Sequence, residues 1–70
     1  MTHPQAREVW KRIKQVFRWQ QGYDVQMPLD RFFGYTVTIY DQRVQSFGTI
    51  LAGSESEIDW TIKRMKGERE

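Results

Sequence analysis

Three observations predict an α+β fold: a single small domain in which a helix, a three-stranded antiparallel sheet and a second helix follow one another. Apolar residues recur every three or four positions near both ends of the chain, the period of an amphipathic helix. Between those ends lie short stretches rich in β-branched and aromatic residues, bounded by residues that favour turns. The 70 residues leave no room for a second core. This order of elements places both helices on one face of the sheet, because each must bury its apolar stripe.

The first helix is predicted from Pro4 to Gln21, where Ala6, Val9, Trp10, Ile13, Val16 and Phe17 share one face. Pro4 suits its first turn, where a missing N–H has no intrahelical partner to lose. Gly22 suits the position just past its end. In "YDVQM", Tyr23, Val25 and Met27 alternate with polar residues, the period of a half-buried strand, and Pro28 ends it. "PLDRFFG" is expected to connect to a central strand within "RFFGYTVTIY", Arg31 to Tyr40, followed by a hairpin loop at "DQR". The third strand, "VQSFGTIL", alternates poorly, and Gly48 is expected to mark a bulge that switches its face. In "GSESEIDWTIKRMKG", Ser54 and Glu57 have the capping-box spacing, and Ile58, Ile62 and Met65 form the stripe of a second helix. Residues 1–3 and 67–70 are expected to fray.

A chain this short has a modest core, so its ten aromatic residues (three Trp, three Tyr, four Phe) matter for burial. The absence of cysteine excludes disulfides and thiolate metal sites. No apolar run is long enough to cross a bilayer, so the expectation is no membrane association and a cytoplasmic location. Net charge is +2 but uneven. Residues 1–23 carry Arg7, Lys11, Arg12, Lys14 and Arg18 against the single Glu8, while the rest of the chain is slightly acidic.

"RFFGYTVTIY" half-resembles the RNP1 strand of RNA-recognition motifs, in which a basic residue precedes aromatics that stack on bases. Its parity argues otherwise. Phe33, Tyr35, Val37 and Ile39 share one face and Gly34, Thr36 and Thr38 the other, so the aromatics are expected in the core. The helix–sheet–helix layout also resembles HicA-type toxins and double-stranded-RNA-binding domains. The strand histidine of the former is missing, and "GSESEIDW" places acids where the latter carry glycine and paired lysines.

Catalytic residues are scarce: His3 is the lone histidine, and Asp24, Asp30 and Asp41 sit where aspartate is ordinary turn chemistry. The expectation is therefore a non-enzymatic binding or regulatory protein with no cofactor and no metal. Two tryptophans fall off their helices' apolar faces: Trp19 beside Arg12, and Trp60 beside Arg64 one turn later. Interfaces enrich Trp and Arg, so Trp19, Trp60, Arg12 and Arg64 are expected to dock a protein partner, with Tyr40 and Phe32 as weaker contacts. The alternative partner is nucleic acid. Arg7, Lys11, Lys14 and Arg18, spaced four, three and four apart, would contact phosphates in one row, with Glu8 paired to Arg12. A homodimer is a third expectation, since small domains gain burial by association.

Overall fold

The computed structural model describes residues 1–67, and the expected fraying of residues 68–70 lies outside that range. The elements run α1 (His3–Val16), a single 3-10 turn (Trp19–Gln21), β1 (Tyr23–Gln26), β2 (Leu29–Asp30), β3 (Gly34–Tyr35), β4 (Val37–Asp41), β5 (Ser46–Ile50) and α2 (Glu55–Gly67). The main sheet is antiparallel with the order β1-β4-β5, and β2 and β3 form a small second ladder. The fold is α+β, as the apolar periods predict.

α1 starts one residue before Pro4 because Thr2 and Gln5 form a capping box, each satisfying a backbone N–H of the other. It ends at Val16, earlier than expected. Phe17 turns extended (φ −113°, ψ 107°), which seats its ring edge-on against Tyr23 at 4.7 Å in the core. Burying that ring outweighs another helical turn, so Gly22 (φ 88°) closes the 3-10 turn rather than α1.

The sheet has one buried and one open face. Tyr23, Val25, Val37, Ile39 and Ile50 point into a single core with Val9, Ile13 and Phe17 of α1 and Ile58 and Met65 of α2. Both helices therefore cover the same face. Each fully buried aliphatic side chain removes apolar surface worth about 1.5–3 kcal/mol from water. Thr38, Tyr40, Phe47 and Thr49 lie on the other face, Thr38 opposite Thr49 and Tyr40 opposite Phe47.

β5 departs from expectation. It pairs with β4 in unbroken register and alternates cleanly, so Gly48 marks no bulge. Gly48 lies instead beneath α2, where an added Cβ would sit 3.3 Å from Met65 Sδ and from Thr61 Cγ2. Glycine here permits close helix approach. Val44, expected in the strand, is in the exposed β4–β5 turn, which Gln45 closes at φ 52°.

β2 and β3 continue the hairpin made by β1 and β4. Gln26 pairs with Thr38 and Leu29 with Tyr35, three residues on along one strand and three back along the other, so the register never slips. The break comes from Pro28. Its carbonyl accepts the Thr36 N–H (2.9 Å), but it has no N–H to return.

That break corrects the expected central strand. Val37 and Ile39 are core, but Phe33 is 54% exposed, Tyr35 is half-buried and Thr36 is buried with its hydroxyl on the Pro28 carbonyl. Gly34 adopts φ +73°, and Thr36 falls between β3 and β4, so alternation read from Arg31 to Tyr40 does not carry through.

At the start of α2, the Ser54 hydroxyl accepts the Glu57 N–H as predicted (3.2 Å). The Glu57 carboxylate reaches further back than a capping box requires, and accepts the N–H groups of Leu51, Ala52 and Gly53 at 2.7–3.0 Å. It thereby ties the end of β5 to the helix. Among the described residues no helix is long and apolar enough to cross a membrane.

Candidate functional site

The distal hairpin is the most conspicuous surface feature. In "LDRFFGY" the Asp30 carboxylate accepts the backbone N–H groups of Phe32 (2.7 Å) and Phe33 (2.9 Å), closing the turn. Those two donors hold the Asp30 carboxyl below the usual range. The Met1 backbone pairs alongside β3. Its ammonium donates to the carbonyls of Phe33 (2.8 Å) and Tyr35 (3.0 Å), and its carbonyl accepts the Tyr35 N–H (2.9 Å). An added Cβ on Gly34 would come 2.9 Å from that carbonyl oxygen, so close pairing requires glycine there. His3 packs edge-on against the Tyr35 ring at 5.0 Å. The first three residues are thus tied to the hairpin and to α1.

This bracing holds three large apolar side chains out toward water. Phe32 is 85% exposed, Leu29 and Phe33 are exposed beside it, and Arg31 completes the tip. The face pattern of the sequence puts Phe33 in the core and leaves Phe32 a weak contact, whereas both rings are exposed. The available signal was Asp30 followed by Gly34 in "DRFFG", a carboxylate that can cap a turn four residues before a glycine that can close it.

The residues expected to dock a partner are dispersed. Trp19 is 75% exposed, but on the 3-10 turn rather than on α1, so its helical neighbourhood with Arg12 does not form. Arg12 crosses instead to Glu55 of α2 (2.8 Å), not to Glu8. Each partner stabilises the other's charge, raising the guanidinium pKa and lowering the carboxyl's. Trp60 is 61% exposed on the outer side of α2, with the Arg64 guanidinium 5.5 Å from its ring centre. Tyr40 lies on the open sheet face, opposite the side covered by the helices, and cannot join Trp60 in one flat contact.

The basic row is partly kept. Arg7, Lys11 and Lys14 are exposed on α1, but Arg18 lies beyond its end in extended backbone (φ −103°, ψ 144°), so helical spacing no longer aligns it. None of the four enters an ion pair among the described residues. Lys14 stands over the Trp10 ring at 4.4 Å, and the Trp10 indole N–H donates to the Val25 carbonyl (3.1 Å). Trp10 thus joins α1 to β1 at the floor of an open groove of about 530 Å³, which His3, Arg7 and Met27 also line. Among the described residues no three His, Cys, Asp or Glu side chains come together as metal ligands.

No family model matches the chain, and no curated protein or solved structure matches it.

Proposed function

We propose that the protein is a small non-enzymatic binding module that docks on a protein partner, with the distal hairpin tip as its principal anchor. The braced exposure of Leu29, Phe32 and Phe33 carries this reading. Large apolar groups held in one conformation lose little further entropy on binding, and aromatic residues dominate binding energy at protein interfaces. Trp19 and Trp60 are secondary contacts on other sides of the domain. Arg12 is already committed to Glu55, and Arg64 acts through Trp60.

The test is a photocrosslinking benzoylphenylalanine in place of Phe32, irradiated in the native extract. The expected outcome is one protein adduct that disappears when Phe33→Ala is added, with an unchanged circular dichroism spectrum. Adducts with nucleic acid or lipid, or none, would overturn the assignment.

That Arg7, Lys11 and Lys14 enter no ion pair among the described residues supports a second reading, nucleic-acid binding along α1. It requires affinity for DNA or RNA that falls steeply with salt. Lys11→Gln with Lys14→Gln should then flatten the slope by about 0.9 per lost contact on duplex DNA. No binding at low salt would eliminate it.

A further inference from the structure

The hydrogen-bond register shows what each sheet edge offers. Gly22 accepts from Gln42 (2.8 Å) and Pro28 from Thr36 (2.9 Å). In an antiparallel ladder the bonded pairs alternate, so Asp24–Tyr40 and Gln26–Thr38 exchange bonds across β1 and β4. Tyr23 and Val25 therefore turn their backbone groups outward. One group of each is met: the Tyr23 N–H by the Arg18 carbonyl (3.4 Å) and the Val25 carbonyl by the Trp10 indole (3.1 Å). The outer edge of β1 is thus partly occupied by this chain's own groups.

The same alternation makes Val37–Ile50, Ile39–Gly48 and Asp41–Ser46 the bonded pairs across β4 and β5. Phe47 and Thr49 then turn their N–H and C=O groups away from the sheet. Leu51, next in that series, confirms the direction, since its N–H is taken by Glu57. Among the described residues no hydrogen bond meets the outward groups of Phe47 or Thr49, and both side chains are exposed, Phe47 at 62%. β5 also lacks the devices that protect a bare edge: "SFGTI" has no charge, no proline and no bulge.

We infer that the β5 edge is a homodimer interface, at which two copies pair antiparallel about a two-fold axis through Gly48 to form one six-stranded sheet. Centred there, Phe47 faces Thr49 of the second copy and Thr49 faces its Phe47. Each of the four outward groups of one copy meets its complement in the other, giving four hydrogen bonds from one strand's sequence alone. Within the paired strands no like charges meet, because β5 carries none. α2 lies over β5, with Thr61 and Met65 against Gly48. With one outward group of Tyr23 and one of Val25 already taken, β1 is the poorer template, which favours pairing that stops at two over a head-to-tail array needing a second open edge. This interface is separate from the hairpin tip and stands without it.

Sedimentation equilibrium of the whole chain, from about 1 μM to about 1 mM, tests this together with amide exchange. The expected result is a dimer of the 8.5 kDa chain, with the Phe47 and Thr49 amides gaining at least about tenfold protection as the dimer fills. Thr49→Lys places a charge opposite the second copy's Phe47 and should raise the dimer dissociation constant at least about tenfold. Thr49→Pro, which deletes one outward donor, should do the same, and the wild-type amides decide the matter if that variant does not fold. A monomer throughout the range overturns the inference. So do assemblies larger than a dimer, and a dimer in which both amides exchange freely.

Discussion

One hairpin in one register has two halves with opposite characters. In the proximal half, β1 and β4, Val25, Val37 and Ile39 disappear beneath two helices. In the distal half, β2 and β3, Leu29, Phe32 and Phe33 stand in water although the pairing continues without a slip. Apolar content does not separate the halves; what lies over them does. α1 and α2 cover the proximal half, whereas Met1, the Asp30 carboxylate and the edge of His3 support the distal one. A core residue is held by the burial of its side chain, whereas the tip is held by its backbone, so its side chains remain available to something else.

The largest expected effect follows from that contrast. Ile39→Ala empties a fully buried site and should cost about 2–5 kcal/mol in urea unfolding. Phe32→Ala deletes a larger side chain yet should change stability by less than about 0.5 kcal/mol, because little of it is buried. Comparable losses in the two variants would erase the distinction between halves.

Next in size is Gly34→Ala. A side chain there must adopt φ +73° and press on the Met1 carbonyl, a strain of about 1–2 kcal/mol. The loss should appear as a lower midpoint together with faster exchange of the Tyr35 amide, whose acceptor is that same carbonyl. A smaller effect is expected at the break. Pro28→Ala restores a donor facing Thr36, worth about 0.5–1.5 kcal/mol, and loosens the unfolded chain by about 0.4–1 kcal/mol. The two nearly cancel, so the informative measurement is protection of the new amide. An unprotected amide at position 28 would mean that the kink has a cause other than the missing N–H.

The sequence was most legible where one rule acted alone. The α1 stripe, the alternation of "YDVQM" and the Ser54 cap all rest on local periods or spacings, and each is found. Misreadings arise where a distant group competes. α1 loses its last turn because the Phe17 ring is worth more against Tyr23, and with that turn goes the alignment of Arg18. Arg12 passes over Glu8, one turn away, for Glu55, which lies forty-three residues further along the chain. The parity that puts Phe33 in the core fails at a glycine with positive φ. The poor alternation of "VQSFGTIL" had a simpler cause than a bulge, since Phe47 is a large apolar residue on the open face. For the candidate site, the exposure of Trp60 was legible from the helical period, whereas Trp19 is exposed on a 3-10 turn that the period did not foresee, and the arrangement of the rings on separate surfaces depends on how α2 and the hairpin sit on the sheet.

The smallest expected change in stability sharpens the contrast most, because it acts on the tip alone. Asp30 is ionised in the folded protein to a lower pH than an ordinary aspartate, held there by the Phe33 and Phe32 N–H groups. With a lowered folded pKa, its bracing is fully present above the unfolded value of about 3.9 and is lost as pH falls through the folded one. Acid should therefore loosen the distal turn while the proximal ladder stays paired. Amide spectra recorded from neutral pH down through that range should show Phe32 and Phe33 shifting together with a midpoint below about 3.9, ahead of any change at Ile39. Asp30→Ala should remove the transition and leave both amides exchanging rapidly at neutral pH. If Ile39 moved in step with the tip, the two halves would be one cooperative unit, and the exposed aromatics would owe their position to the core after all.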